Sequence, residues 1–166
     1  FADRLKSQGY QVELFARKLH PNATLVMGNL EEASRMTDQL IQSGSSEILQ
    51  ASFLVDGLFA SCDILIWNDL FGGWDIIEVK SSTDKDRKSK EHILDAAFQR
   101  LVAEKAGLKI VNVYLLELNK EYYKDGDIDP NKIFYSTEIT TEFIELEQRI
   151  LADIDRVKTL LTSGNP

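Results

Sequence analysis

The sequence predicts an α/β domain, a mixed β-sheet with helices on both faces, and three observations carry that expectation. Two turn signals, Asp56-Gly57 and Gly72-Gly73, divide the stretch from about 46 to 80 into three β-prone runs. A helical segment then separates these runs from another apolar stretch, "KIVNVYLLEL" at 109–118. A strand–helix–strand crossover of that length makes a parallel pair with a right-handed connection. Last, Thr140 opens a long amphipathic helix that runs to about 162.

Taken in order, residues 1–8 and 10–19 read as two short helices broken at Gly9, with Pro21 ending the second. From Leu30 to Ile41 the apolar positions Leu30, Ala33, Leu40 and Ile41 follow helical spacing, and Gly44 closes the segment. Centring the first hairpin on Asp56-Gly57 opposes Gln50 to Asp63. Centring the second near 70/71 opposes Asp63 to Glu78 and Trp67 to Trp74.

Side chains alternate along a strand. One face then collects Leu49, Ala51, Phe53, Val55, Leu58, Ala60, Cys62, Ile64, Ile66, Ile77 and Val79, all apolar. The opposite face carries Asp63, Glu78 and Lys80 gathered at one end. The helix over 91–106 has Leu94, Phe98, Leu101 and Val102 as its apolar stripe, beside a second stripe of His92, Asp95 and Gln99. Beyond the fourth strand, an Asp125-Gly126 turn leads to a short edge element near 136. The final helix should turn Phe143, Leu146, Ile150, Ile154, Val157 and Leu161 inward.

At 166 residues, 43% hydrophobic and 28% charged, the chain suits one domain spanning 1–166. Beginning at Phe1 and stopping at "SGNP", it reads as a domain excised from a longer protein. A single cysteine, Cys62, excludes an internal disulfide framework and suits the cytoplasm. No apolar run is long enough to span a bilayer. The net charge of −8 argues against a simple nucleic-acid-coating protein. Charge is uneven, however: the run Lys80–His92 holds five basic residues against three acidic ones, and Lys85, Arg87, Lys88 and Lys90 are candidate phosphate contacts. No G-x-x-x-x-G-K-[ST] loop is present.

Glu78 and Lys80 share one face of a strand otherwise built of Ile76, Ile77 and Val79. Burying such charges costs on the order of several kcal/mol per ion unless each finds a partner. Two acidic oxygens and a cation on one face suit a hard divalent metal, Mg²⁺ or Mn²⁺, which keeps waters that a substrate can displace. A metal there could hold a phosphate oxygen and activate water for phosphodiester hydrolysis.

Asp63, then a turn, then Glu78-Val79-Lys80, then a helix bearing Gln99, resembles the D…ExK core of the PD-(D/E)xK nuclease superfamily. "EVKSS…H…D..FQ" with "LLELN.EYY" downstream is most similar to its RecB-type exonuclease branch, over roughly residues 29–162, and within it to a poorly characterised bacterial group. The resemblance implies a restriction-endonuclease-like fold and metal-dependent cleavage of nucleic acid, DNA foremost. It implies Asp63, Glu78 and the Val79 carbonyl as metal ligands, Lys80 as the catalytic lysine and Gln99 as the helix glutamine. The branch's upstream His or Glu is offered by Glu31, Glu32 or, more weakly, Glu47, and His92 is a further candidate. Ala103 stands where the branch often has tyrosine, and the cysteine set of the iron–sulfur members is absent from this sequence.

Plainer readings stand beside these. Asp63, Glu78 and Lys80 also suit a half-buried ion-pair network at a sheet end, and the fold also suits a catalytically silent module that binds nucleic acid or protein. A phosphatase acting on small molecules is a third reading. Gln99 and His92 fit solvated helix positions, and residues 85–90 fit a solvated loop. Trp67 and Trp74 suit a cross-strand pair better than a base-stacking platform. "DGDID" at 125–129 has Ser136 at its twelfth position, so it reads as a turn rather than a calcium loop.

Overall fold

The computed structural model describes residues 2–81, 88–123 and 125–162. In chain order these form α1 (Ala2–Arg17), β1 (Thr24–Leu25), α2 (Leu30–Gln42), β2 (Glu47–Val55), β3 (Leu58–Asn68) and β4 (Gly73–Lys80). There follow α3 (Lys88–Lys105), β5 (Ile110–Leu118), α4 (Pro130–Ile133), β6 (Phe134–Glu138) and α5 (Phe143–Thr162). The strands make one mixed sheet in the order β1-β2-β3-β4-β5-β6. β1 is parallel to β2 and β4 to β5, and the other neighbours are antiparallel. The β4–α3–β5 crossover is therefore the parallel unit that the sequence predicts, in a mixed sheet layered with helices on both faces.

Both hairpins take the expected register. Val55 opposes Leu58 across Asp56-Gly57, where both turn residues have positive φ (52° and 75°), the geometry of the tight hairpin turn. Trp67 opposes Trp74 across the second turn, their rings edge to face at 5.3 Å.

The prediction of one continuous apolar face is corrected. Ala51, Phe53, Val55, Leu58, Ala60 and Cys62 pack with Leu65, Trp74 and Ile76 against α2, α3 and α5. Leu49, Ile64, Ile66, Ile77 and Val79 pack on the opposite side with Val12, Phe15 and Ala16 of α1. Ile48 and Ala51 thus share a face although three residues apart, as do Cys62 and Leu65. Strict alternation forbids this, so each strand carries one interpolated residue. In β2 it is Gln50, with φ of 56°; in β3 it is Asp63. The flanking rungs Leu49–Ile64 and Ala51–Cys62 are both intact. Paired interpolations leave the register unchanged while switching the faces.

Three smaller expectations also change. Gly9 does not break the first helix, which runs unbroken through it in α1; the nearest foreign atom to a Cβ there would be Ser81 Oγ at 3.9 Å. Packing of Val12, Phe15 and Ala16 on the sheet outweighs the ~1 kcal/mol helix penalty of one glycine. Thr140 does not cap α5: its hydroxyl accepts from Val113 N at 3.0 Å, and a 3₁₀ turn, Thr140–Glu142, precedes the helix. Val157 is 54% exposed rather than inward, while Phe143, Leu146, Ile150 and Ile154 do pack on the core. The Leu161 side chain lies outside the described residues. β1, two residues long, has no counterpart in the sequence reading.

Candidate functional site

Asp63 sits where the β3–β4 ladder gives out. The last rung before it is Ile64–Ile77, and Val79 N donates not to a backbone carbonyl but to Asp63 Oδ2, at 2.8 Å. Gln50 Nε2 donates to the other oxygen, Oδ1, at 2.9 Å. The face switch thus turns the carboxylate into the gap between two strands, and a backbone N–H fixes it there.

On β4, Glu78 and Lys80 face α3, on the side where Trp74 and Ile76 enter the core. Residues i and i+2 of a strand are about 6.6 Å apart and residues i and i+4 of a helix about 6 Å, so the two elements match in pitch. Accordingly Gln99 Nε2 donates to Glu78 Oε2 at 3.0 Å, and Lys80 Nζ reaches Asp95 Oδ2 at 3.0 Å. Lys80 Nζ also donates to Glu78 Oε1 at 2.8 Å. Glu78 and Gln99 are both buried, at 7% and 5% exposure. The charges singled out in the sequence each have a partner, which is what burial at this depth requires.

Electrostatics set Asp63 apart. Burial first, and then the nearby Glu78 carboxylate, push its carboxyl up to about 7, with Glu13 adding to the effect; the Val79 N–H and Gln50 work the other way. Burial disfavours the charge on Lys80, but Glu78 and then Asp95 more than offset it and hold the ammonium above its ordinary range. Lys80 is therefore a persistent cation. His92, at the start of the same helix face, is pushed down by burial and by Lys80, against the pull of Glu117, Asp95 and Glu91.

The sequence reading sets Gln50 opposite Asp63 without giving it a role, and Glu13 carries no signal there. Gln50 Nε2 bridges Asp63 to Glu13 on α1, and Glu13 in turn holds Arg17. Glu13 is 37 residues from Gln50 along the chain, and the packing of α1 on the sheet, together with the positive φ of Gln50, brings the two together. Neither hydrophobic period nor turn chemistry encodes such a meeting. The other upstream acids have different work. Glu32 closes a capping box with Asn29 at the start of α2, Glu31 lies exposed in the same first turn, and Glu47 lies 3.5 Å from His20. Lys90 is exposed near the start of α3. Lys85 and Arg87 lie outside the described residues, as does the side chain of Lys88.

Asp63 and Glu78 are the side chains that could offer oxygens to a divalent cation. Asp63 and Glu78 lie on neighbouring strands close enough for their like charges to repel, and each carboxylate oxygen that holds one hydrogen bond keeps a second lone pair. Gln99 Oε1 is buried without a donor, and the water shell of a cation beside Glu78 would supply one. Among the described residues no three His, Cys, Asp or Glu side chains gather into a ligand cluster. Backbone carbonyl, water and substrate oxygens would have to complete the coordination, as suits Mg²⁺. No helix among the described residues is long and apolar enough to cross a membrane. No protein-family model matches the chain, and no curated protein matches its sequence.

Proposed function

We propose that this chain is a metal-dependent nuclease domain of the restriction-endonuclease-like class, hydrolysing phosphodiester bonds, with DNA as its substrate and the cytoplasm as its setting. One observation carries the reading. Asp63, released from strand alternation, is held by the amide of Val79, between Glu78 and Lys80, and those two are in turn held by Gln99 and Asp95. Asp63, Glu78 and the Val79 carbonyl would hold Mg²⁺ or Mn²⁺. When bound, that ion supplies a water of lowered pKa and stabilises charge at phosphorus.

The chain's own groups divide the remaining work. Lys80 keeps its proton, so it serves as a fixed positive charge and donor for the phosphoryl oxygens rather than as a base. Gln99 fixes the orientation of Glu78. Gln50 and the Val79 amide fix that of Asp63, and Glu13 extends the acidic set from the α1 side. Lys85, Arg87, Lys88 and Lys90 would grip the backbone of the nucleic acid.

A second reading has its own observation. Both oxygens of Glu78 already hold donors, Lys80 and Gln99, an arrangement that also suits a silent binding module with an ion-pair network in place of a metal. Turnover of single- and double-stranded DNA with Mn²⁺, run beside a small phosphomonoester, separates the alternatives. DNA cleavage without monoester cleavage supports the nuclease, monoester cleavage a phosphatase, and DNA binding without turnover the silent module.

A further inference from the structure

The row that Lys80 begins continues across the sheet. Lys80 of β4 opposes Glu117 of β5, and Glu117 opposes Tyr135 of β6. Val113 and Leu115 of β5 pack in the cluster that α3 covers, so by strand alternation Glu117 and Tyr135 share that side with Lys80. The Tyr135 hydroxyl donates to Glu117 Oε2 at 2.9 Å. Burial and then Glu117 raise its phenol above the ordinary range, so it stays a neutral donor. Beside the ring lies a cavity of about 250 Å³, walled by Tyr135 and by Asn119, Lys120 and Glu121 of the segment after β5. That segment is braced. Asn119 Oδ1 accepts from Glu121 N at 3.0 Å, its Nδ2 donates to Lys132 O at 3.3 Å, and its backbone N–H donates to Ile133 O at 2.7 Å. The cavity is therefore preformed. One ammonium stands against one carboxylate in its lining, so the ring, rather than net charge, is what it offers a ligand.

We propose that this cavity takes one unpaired nucleobase, stacked on Tyr135, of a strand whose backbone is held at Lys80. Every base presents a π-face, so an aromatic ring accepts it whatever its identity. Neighbouring strands lie about 4.8 Å apart, so two steps along the row separate Tyr135 from Lys80 by about 10 Å, within the reach of one nucleotide from a phosphate at the lysine. Lys120 then stands beside the next stretch of backbone, a contact that positions without reading sequence. Glu117, tied to the phenol, fixes the ring between the two. The proposal rests on the nucleic-acid part of the reading above and not on its chemistry.

The test uses two fluorescein-labelled oligonucleotides of about 10 nucleotides, one of thymidine and one abasic throughout, so that the phosphates match and only the bases differ. Fluorescence anisotropy on the 166-residue chain, with Ca²⁺ in place of Mn²⁺, should show the thymidine strand binding tighter by about tenfold or more. Tyr135→Ala should bring the two strands close to equal affinity, with circular dichroism showing the fold intact. Tyr135→Phe keeps the ring and loses the bond to Glu117, and it should retain most of the preference. Mn²⁺-dependent cleavage of the thymidine strand is scored alongside. Equal binding of both strands by a wild type that cleaves overturns the base subsite and leaves the nuclease reading standing. A preference that Tyr135→Ala keeps, or that Tyr135→Phe loses as completely as Tyr135→Ala, also overturns it, the latter making the tether to Glu117 the role of Tyr135. A preference that depends on the ring, without cleavage, supports the subsite and overturns the catalytic reading. Binding of neither strand overturns both.

Discussion

At the scale of single residues, the site depends on a division between groups that carry charge and groups that aim it. Lys80 is 15% exposed in its side chain and tied to Glu78 and Asp95, so removing it should separate binding from chemistry. Lys80→Met keeps side-chain length and an apolar stem, and the packing should survive. Asp63, Glu78 and the Val79 carbonyl remain, so Mn²⁺ should bind as tightly or more tightly, measured by calorimetry. DNA turnover should fall by about 10²–10³, the usual loss for one preorganised donor at a developing charge. Equal cleavage by wild type and Lys80→Met would reduce Lys80 to a structural ion-pair partner. The neighbourhood of Asp63, Glu78 and Lys80 was legible in the sequence because turn chemistry sets hairpin register, and Gln99 entered through the family resemblance and the stripe it shares with His92 and Asp95. Glu13 was not, because its meeting with Gln50 depends on how α1 packs on the sheet and on the backbone conformation at Gln50.

At the scale of the elements, the face switch in β2 and β3 is the feature that places Asp63. Apolar residues stand on both sides of the switch, Ile48-Leu49 in β2 and Ile64-Leu65 in β3, and both sheet faces are buried. A period-2 pattern therefore conceals it: Leu49 and Ala51 look equally inward, whichever face each one serves. The register, by contrast, was legible, because Asp56-Gly57 and Gly72-Gly73 specify it by turn geometry. The switch makes its own prediction. In a regular strand glycine is less stable than alanine, but at a φ of 56° a Cβ costs roughly 1–2 kcal/mol. Both Gln50→Gly and Gln50→Ala lose the hydrogen bonds to Asp63 and Glu13, so comparing them isolates the backbone. Urea denaturation should find Gln50→Gly the more stable by about 1 kcal/mol; alanine above glycine would mean that β2 is regular there. The basic run before α3 can be checked by charge alone. Neutralising Lys85, Arg87, Lys88 and Lys90 together should weaken DNA binding and flatten its salt dependence, by roughly 0.9 in the log–log slope for each phosphate that the variant no longer neutralises. An unchanged slope would return the run to solvated surface.

For the whole molecule, the carboxylate lodged between β3 and β4 links stability to pH and, under the proposed function, to cation binding. The Asp63 carboxyl titrates at about 7 in the fold against an ordinary 3.8. Between those values the folded state holds more protons than the unfolded state, so the contribution of this group to stability falls as pH rises. The destabilisation is fully present above about 7 and relieved as pH drops toward 4. It reaches at most roughly 4 kcal/mol for a shift of this size, and less in practice because solvent screens a partly buried group. Under the proposed function, a divalent cation held by Asp63 and Glu78 would compete with that proton. The Mn²⁺-induced rise in Tm should therefore be largest at pH 8, shrink through pH 7 and nearly vanish at pH 5. At metal about 100-fold above Kd the stabilisation is about 2.7 kcal/mol, several degrees for a chain of this length. Asp63→Asn removes the titrating group. It also sets an amide donor against one of two existing donors, Val79 N or Gln50 Nε2, so it should show little metal response at any pH. Calorimetric scans of both proteins at pH 5, 7 and 8, with and without Mn²⁺, measure all of this without calling on catalysis. A metal shift of equal size at pH 5 and pH 8, or one that Asp63→Asn retains, would remove Asp63 from the ligand set and leave the carboxylate as a structural clasp between the two strands.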